Sequence, residues 1–386
     1  MKLAIQFGAG AIGRGLLGKI LHDSAYHVLF VDVYQPVVDQ INKDGYFTVE
    51  YTDHDARREN LDNVSALCST REEDLEKIYQ KITEADLITT SVRVENLEPT
   101  SKIIARGLEI KDPASPKVDI LAFENAFRAT DTLKKYILEN SSLKEADLDK
   151  LATFPNTVTD RIVQNKMDGD QMVVEISDDF EAVIEKNKLK DPSKEPIKGA
   201  EYTENIDEEL ERKLFLVNGV HAATSYLGYQ KNYKMMDKAF NDPEIMEVIK
   251  GIIKESSEVL IKEYGFDRLA LDKFSQAKLN RFLRTASHDT IDRVGRDPVR
   301  KLSDSDRLVA PAKRAYKEGL SYDNLAKAIA AAYSYDDKDD EKAMEVQAYI
   351  KANSLEKAIE KYSNINPEKE AGLFDKIVEA YKKLNK

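Results

Sequence analysis

Apolar runs and helical stretches alternate along the first part of the chain. Short strand-like runs each precede a stretch with the 3.6-residue spacing of an amphipathic helix. Alternation of this kind is typical of an α/β domain with a mostly parallel sheet. The predicted strands lie at residues 2–7, 27–31, 85–91 and 118–123. One predicted helix ends at about residue 23, and two others lie at about residues 96–107 and 127–138.

Two further runs and a polar stretch interrupt this pattern. Residues 46–51 alternate as a strand does and predict the start of an antiparallel excursion, whereas residues 172–176 predict a later strand. Residues 185–198 are polar and lysine-rich and contain Pro192 and Pro196. This composition predicts a surface connection between two domains.

Beyond about residue 207 the periodicity is almost entirely helical. The strongest helical periods lie near residues 207–226, 244–264, 271–286, 322–333, 340–363 and 369–384. The charged segment after Tyr335 predicts solvated helix faces. The chain is therefore expected to form an α/β N-terminal domain of Rossmann type over residues 1–195, followed by a mainly α-helical C-terminal domain over residues 196–386.

A glycine-rich segment supports the Rossmann assignment. Gly8, Gly10 and Gly13 form a G-x-G-x-x-G pattern after the first strand, and Asp32 ends the second strand. A carboxylate there accepts bonds from both ribose hydroxyls and repels a 2′-phosphate, so NAD is favoured over NADP. Arg14 either touches a phosphate or lies on the helix surface. The predicted cofactor-binding residues are Phe7, Gly8, Ala9, Gly10, Ala11, Ile12, Gly13, Arg14 and Asp32.

Composition excludes several classes of protein. The 386 residues exceed the usual size of one core, and the net charge of −12 argues against binding of nucleic acid or of a membrane surface. A single cysteine, Cys68, rules out an intrachain disulfide and a cysteine-rich zinc site. No run approaches 18 apolar residues, and the apolar start is too short for a signal peptide. A soluble, cytoplasmic protein is expected.

Three polar residues interrupt an apolar run in the second half. Lys213, Asn218 and His221 have the spacing Lys-x4-Asn-x2-His. At about 100° per residue, Asn218 lies roughly 140° from Lys213 and His221 roughly 80°, so the three converge on one side. A desolvated lysine is suited to act as a base, and the asparagine amide donates to a developing oxyanion. The alternative is a surface lysine beside a satisfied core histidine.

Two other segments add polar groups with open roles. Asn125 follows the predicted strand 118–123, where parallel sheets bind ligands, although it also suits a helix N-cap. Residues 288–302 resemble a loop with four cations, which either grip a phosphate or form exposed ion pairs with neighbouring aspartates. The cations are Arg293, Arg296, Arg300 and Lys301.

Over nearly its whole length the chain resembles the polyol-specific long-chain dehydrogenases and reductases. The glycine motif is shared by many NAD enzymes, whereas the lysine motif is specific to this family. Ala11 stands where many members have asparagine, at a position where the backbone does the binding. The resemblance rests on residues 7–15, 30–33, 123–125, 128–130, 154–156, 160–162, 218–222 and 226–229, and on residues 296–302, which are like those of the phosphate-using members.

The resemblance implies a set of roles. Lys213 would be the general base, Asn218 and Asn125 would hydrogen-bond the developing alkoxide, and His221 would orient a substrate hydroxyl. NAD would be the cofactor, no metal would be needed, and the site would lie in a cleft between the two domains. The implied reaction converts D-mannitol 1-phosphate and NAD into D-fructose 6-phosphate and NADH, and Arg293, Arg296, Arg300 and Lys301 would face the phosphate.

Three alternatives stay open. The first is a related oxidoreductase for an unphosphorylated polyol or a sugar acid such as fructuronate or tagaturonate. The second is a hydroxyacid or hydroxyacyl dehydrogenase, against which the Lys-x4-Asn-x2-His pattern argues. The third is a non-catalytic NAD-sensing protein. The expected partner is a small polyol phosphate, and a monomer is favoured over a homodimer because the C-terminal helices show no obvious apolar stripe that demands a partner.

Overall fold

The computed structural model describes residues 2–52, 57–286 and 289–385, apart from the side chain of Thr285. The chain divides into two compact units, Met1–Leu210 and Glu211–Lys386. The predicted domain limits, 1–195 and 196–386, remain a prediction of where one independently folding domain ends and the next begins.

A six-stranded parallel sheet forms the centre of the first unit, in the order β5-β2-β1-β6-β7-β8. Apolar side chains cover both faces of this sheet, which explains why its strands are nearly continuous apolar runs. The predicted parallel sheet is confirmed. Its strands are β1 (Lys2–Phe7), β2 (Tyr26–Asp32), β5 (Val64–Cys68), β6 (Leu87–Thr90), β7 (Val118–Ala122) and β8 (Ala152–Thr153).

The helices of the first unit connect these strands, and short 3-10 turns lie at Val94–Asn96 and Lys186–Lys188. The helix after β1 contains a π-helical turn, which the periodicity did not predict. We label this turn π1 (Gly13–Gly18). The helices are α1 (Lys19–Asp23), α2 (Gln35–Asp44), α3 (Glu72–Glu84), α4 (Leu97–Glu109), α5 (Ala129–Glu139), α6 (Glu145–Leu151) and α7 (Ile206–Lys213).

A second sheet in the first unit has the order β11-β10-β3-β4, with β9 paired to β10. The predicted antiparallel excursion is confirmed, since β3 and β4 pair antiparallel. The predicted strand 172–176 is one part of a longer strand, which forms a hairpin with β9. The strands are β3 (Phe47–Tyr51), β4 (Arg58–Leu61), β9 (Thr157–Asp168), β10 (Gln171–Glu185) and β11 (Glu201–Thr203).

The polar stretch 185–198 is not simply a surface connection. Leu189 and Ile197 are buried in the core beneath the second sheet. The Ile197 N–H donates to the Tyr202 hydroxyl at 2.8 Å. Two apolar side chains thus fix a segment whose average composition suggested solvent exposure.

The second unit is helical, as predicted. A second π-helical turn, π2 (Leu214–Gly219), joins α7 to the next helix. No helix in the part of the chain that the structure describes is long and apolar enough to cross a membrane. The helices are α8 (Val220–Gln230), α9 (Met236–Phe240), α10 (Pro243–Tyr264), α11 (Arg268–Thr285), α12 (Ile291–Gly295), α13 (Pro298–Lys301), α14 (Val309–Lys317), α15 (Asp323–Tyr333), α16 (Glu341–Ala352), α17 (Leu355–Ser363) and α18 (Ala371–Leu384).

One expectation about the C-terminal region was wrong. The predicted helix 340–363 is two helices, because Ser354 begins α17 and its hydroxyl accepts from the Lys357 N–H at 3.2 Å. The last helices also present apolar stripes to the core, where Val346, Ile359 and Ile377 are fully buried. Their many charges lie on the opposite faces and had obscured these stripes.

Candidate active site

The glycine loop is shaped for a dinucleotide. Gly8 has a positive φ of 94°, and a Cβ there would lie 2.7 Å from the Ser91 carbonyl oxygen. A Cβ at Gly13 would lie 1.8 Å from the Gly8 carbonyl oxygen, so these two positions require glycine. The Cβ position of Gly10 has no atom within 4 Å. That open side is where the backbone must approach a pyrophosphate, so the loop fits the predicted cofactor.

Asp32 stands at the carboxyl end of β2, beside this loop. Its Oδ2 accepts the Ala9 N–H at 2.5 Å and its Oδ1 accepts the Tyr34 N–H at 2.8 Å. A cavity of about 210 Å³ adjoins Asp32, Gly10 and Tyr34. Each carboxylate oxygen can accept a further bond, so the group can also receive the two hydroxyls of a ribose.

Arg14 does not lie on the helix surface, and a contact between Arg14 and a cofactor phosphate stays a prediction. The residue is only 2% exposed. Its guanidinium donates to the carbonyl oxygens of Ala9 and Met172, both at 2.8 Å, and to Asn165 Oδ1 at 2.9 Å. Burial lowers the pKa of Arg14 to about 10, and the nearby Asp32 carboxylate opposes this shift. Arg14 therefore holds the backbone of the loop at Ala9 and also lines the cavity beside Asp32.

The other cofactor candidates have simple positions. Phe7 ends β1 and is buried, as is Ala9. Ala11 and Ile12 are half-buried at the start of the helix that continues into π1. Their side chains pack against the core beneath the parallel sheet, which leaves the backbone of this turn to meet a ligand.

Asn125 lies just beyond the carboxyl end of β7 and is exposed. The N-cap of α5 is Arg128, so Asn125 is not the helix cap that the sequence left open. The preceding residue, Glu124, is buried and accepts from the Val92 N–H at 2.8 Å and the Arg93 N–H at 2.9 Å. Burial raises the pKa of Glu124, and these hydrogen bonds oppose the rise. Glu124 thus ties the end of β6 to the backbone next to Asn125.

The lysine motif spans the change from α7 to π2. Lys213 ends α7, Asn218 lies within π2, and His221 follows in α8. A π-helical turn bonds residues five apart, so Lys213 and Asn218 lie closer in angle than the 140° predicted for an α-helix. A Cβ at Gly219 would lie 2.8 Å from the Arg307 carbonyl oxygen, which explains the glycine. The roles of Lys213, Asn218 and His221 stay predictions.

A buried ion pair anchors this helix just before Lys213. Glu211 is only 7% exposed. Arg314 donates from both Nη atoms to the two carboxylate oxygens of Glu211, and the Tyr264 hydroxyl donates to the same carboxylate at 2.7 Å. Arg314 also lies 5.5 Å from the centre of the Phe215 ring, inside π2. The Arg314 guanidinium therefore contacts one residue before Lys213 in the sequence and one residue after it.

His221 is held between an aspartate and aromatic rings. Its Nε2 lies 3.5 Å from Asp289 Oδ2, and its ring stacks on Phe282 with centres 4.7 Å apart and on Phe240 with centres 6.4 Å apart. Burial lowers the pKa of His221, and the contact with Asp289 opposes the shift. The imidazole is thus oriented and kept neutral near pH 7, which suits a group that bonds a hydroxyl.

The predicted basic loop is partly helical, over α12 and α13, and its cations have different environments. Arg293 pairs with Asp289, and Arg300 lies 3.3 Å from Asp297, so both match the ion-pair alternative. Arg296 is exposed. His288, at the start of this segment, lies outside the described residues.

Lys301 differs from its neighbours because it is only 5% exposed. Its Nζ donates to the carbonyl oxygens of Val294, at 2.7 Å, and Arg296. Burial, together with the charges of Arg307 and Arg300, lowers the pKa of Lys301 to about 7. The segment therefore contains a desolvated amine beside other cations, a setting that favours an incoming anion.

Comparison with known families agrees with this geometry. The model described as the mannitol dehydrogenase Rossmann domain matches residues 2–197, and that of the mannitol dehydrogenase C-terminal domain matches residues 205–385. The chain belongs to the mannitol dehydrogenase family.

Relatives within this family match along their full length. A mannitol-1-phosphate 5-dehydrogenase of Clostridium acetobutylicum is 40% identical over 98% of this chain and 97% of its own. One from Caldanaerobacter subterraneus subsp. tengcongensis is 37% identical over 100% of this chain and 99% of its own. Both relatives therefore contain counterparts of both units.

Solved structures share the fold at low sequence identity. Mannitol 2-dehydrogenase of Pseudomonas fluorescens, solved as a ternary complex with NAD and D-mannitol, superposes with a TM-score of 0.75 at 17% identity, over 100% of this chain and 92% of its own. A substrate-free D-sorbitol dehydrogenase gives 0.79 at 14% identity, over 99% and 93%. These likenesses confirm the mannitol dehydrogenase fold.

Sequence reasoning missed three side chains that lie near the predicted site residues of this chain. Glu124 precedes Asn125, Arg314 anchors the lysine helix, and the buried Arg307 pairs with Asp306 at 2.6 Å. Only Glu124 had a signal in the sequence, as an acid directly after a buried strand. Among the described residues, no group of three or more His, Cys, Asp or Glu side chains could hold a metal ion.

Proposed function

We propose that this chain is an NAD-dependent oxidoreductase that interconverts D-mannitol 1-phosphate and D-fructose 6-phosphate. The main support is the full-length similarity, at 36–40% identity, to proteins named mannitol-1-phosphate 5-dehydrogenase. The residue types of the lysine motif add support, since a lysine is suited to act as a base and an asparagine amide to donate to an oxyanion.

The NAD site is assigned to the glycine loop and Asp32. The backbone at Gly8, Gly10 and Gly13 receives the pyrophosphate, and Asp32 accepts the ribose hydroxyls. NAD, when bound, supplies the acceptor for the hydride that leaves the carbinol carbon. The two N–H groups that Asp32 already binds fix the direction of its remaining lone pairs.

The proton chemistry is assigned to the polar residues of the lysine motif and to Asn125. The Lys213 amine takes the hydroxyl proton as the carbinol carbon becomes a carbonyl, so no metal ion is required. Asn218 and Asn125 donate amide N–H groups to the oxygen while it bears negative charge. His221, oriented by Asp289, bonds a neighbouring substrate hydroxyl.

The phosphate is assigned to the basic segment with Arg293, Arg296, Arg300 and Lys301. Lys301 supports this assignment most directly, because a buried amine with a lowered pKa gains a counter-ion when a phosphate binds. We further propose that the enzyme acts as a monomer, which light scattering coupled to size-exclusion chromatography tests.

A substrate screen tests the proposal. Purified protein is mixed with NAD or NADP and with D-mannitol 1-phosphate, D-glucitol 6-phosphate or D-mannitol, and reduced nicotinamide is followed by absorbance. We expect turnover with D-mannitol 1-phosphate and NAD. Faster turnover of D-mannitol or of a sugar acid would favour the unphosphorylated alternative. Binding of NADH without turnover of any polyol or ketose phosphate would favour the NAD-sensing alternative.

A further inference from the structure

The tip of the β9–β10 hairpin lies against the glycine loop. A Cβ at Gly15 would lie 2.7 Å from a methyl group of Val174 and 2.9 Å from one of Ile176, so π1 packs closely on β10. The Met172 N–H, near the tip, donates to the Gln40 side chain of α2 at 2.9 Å. The hairpin is therefore fixed on two sides of the loop.

Arg14 joins the hairpin to the loop. Its Nε bonds the Ala9 carbonyl oxygen, while its Nη atoms bond Asn165 on β9 and the Met172 carbonyl oxygen on β10. The Ala9 N–H, at the other end of that residue, is bonded to Asp32. Ala9 thus has both backbone polar groups fixed, one by Arg14 and one by the carboxylate assigned to the ribose.

The hairpin also lines the cavity beside Asp32. Met167 and Met172 face each other in the hairpin register and both line this cavity, as do Tyr34 and Val37. Met167 is 62% exposed, so its side chain is accessible to a ligand in this cavity. The flexible thioether and aromatic side chains provide an apolar wall for a planar base, and the neighbouring carboxylate provides an acceptor for a diol.

The charges at this cavity are balanced. Lys166 also lines it, but its Nζ is bonded to Glu50 at 2.8 Å and to Glu175 at 2.9 Å. An additional phosphate on a ligand here would be repelled by Asp32. Lys166 would not offset this repulsion, because two carboxylates already neutralise its charge. The cavity is suited to an uncharged nucleoside.

We propose that the β9–β10 hairpin forms a wall of the adenosine site, with Met167 and Met172 against the base, and that Arg14 is the positioning residue that holds this wall to the glycine loop. This inference rests on the proposed function, because its ligand is the adenosine half of NAD. It assigns a binding surface to a hairpin that belongs to the second sheet.

Binding of NADH and ADP-ribose, measured by calorimetry, tests the wall. Removing the Met167 side chain in Met167→Ala is expected to weaken both ligands equally, by about five- to tenfold, as part of the apolar contact is lost. A general distortion would weaken NADH more than ADP-ribose, since NADH also uses the nicotinamide half. Met344→Ala, which truncates a methionine that is 42% exposed on α16, is the matched control.

Arg14→Lys and Arg14→Met test the positioning role. Lysine retains the charge but not the planar fork of donors, so we expect an ADP-ribose affinity between those of wild type and Arg14→Met. If Arg14→Met does not fold, Arg14→Lys and Met167→Ala still decide the question. Wild-type affinity for ADP-ribose in both of these variants overturns the proposal. A different result would refute only the proposed function. In that case the wild type oxidises no polyol phosphate, but it binds ADP-ribose and the variants lose this binding.

Discussion

At the scale of single residues, Lys213 and Asn218 depend on a local change of helix type. Asn218 and Gly219 belong to the π-helical turn π2, and the lack of a side chain at Gly219 gives this turn the room it needs beside Arg307. Hydrophobic periodicity predicts a helix over this segment but does not distinguish α from π, because both keep the same apolar residues inside. The helical segment was therefore predictable and its π-helical turn was not, and the roles of Lys213 and Asn218 stay predictions.

Lys213→Ala tests the assigned base. Without a group to remove the hydroxyl proton, kcat for D-mannitol 1-phosphate is expected to fall by about 10²–10⁴-fold, the usual contribution of general base catalysis. NADH binding, measured by fluorescence titration, is expected to stay at the wild-type value. Lys250→Ala, on an exposed face of α10, is the matched control. Retention of most of the turnover by the Lys213 variant would refute the assignment.

Lys301 predicts proton uptake when the substrate phosphate binds. Its pKa of about 7 means that the amine is mostly neutral at pH 8. A bound phosphate dianion raises that pKa, so binding of D-mannitol 1-phosphate is expected to take up as much as about one proton. Titration calorimetry in buffers of different ionisation enthalpy measures this number. Lys301→Met should abolish the uptake, and equal uptake in that variant would place the phosphate elsewhere.

At the scale of elements, apolar patterning predicted the parallel strands well because each has both faces buried. The β9–β10 hairpin was mostly missed, since only a third of β9 is buried and the end of this strand is mainly polar. Arg14, Glu211 and Lys301 were missed as buried groups for one reason: a charged residue is normally exposed, and only the fold supplies the partners that reverse this.

The anchor of α7 gives a prediction for stability. Arg314→Met leaves Glu211 buried without its bidentate partner, so the free energy of unfolding is expected to fall by about 3–5 kcal/mol. Arg268→Met removes an exposed pair with Glu258 and should cost less than about 1 kcal/mol. Urea denaturation followed by circular dichroism measures both. Similar losses for the two variants would mean that the Glu211 pair does not hold the lysine helix in place.

At the scale of the whole molecule, the chain combines a net charge of −12 with a proposed pair of anionic ligands. The cations that meet such ligands must therefore be local. Lys301 and Arg307 satisfy this condition, because both are buried and Lys301 is influenced by the charges of Arg307 and Arg300. Concentrating cations in a buried region stabilises a bound anion but destabilises the protein without one.

This cost predicts a pH dependence of overall stability. The pKa of Lys301 is about 7 in the folded chain and near 10.4 in an unfolded one, so between these values the unfolded state binds the additional proton. Stability therefore rises with pH across this interval, and the full cost of burying the charged amine is present below pH 7. From pH 7 to pH 10 the wild type is expected to gain on the order of 3 kcal/mol relative to Lys301→Met. Urea midpoints of the two proteins at each pH measure the difference, with Lys250→Met as the exposed control; parallel curves for wild type and Lys301→Met would show that Lys301 remains charged in the fold.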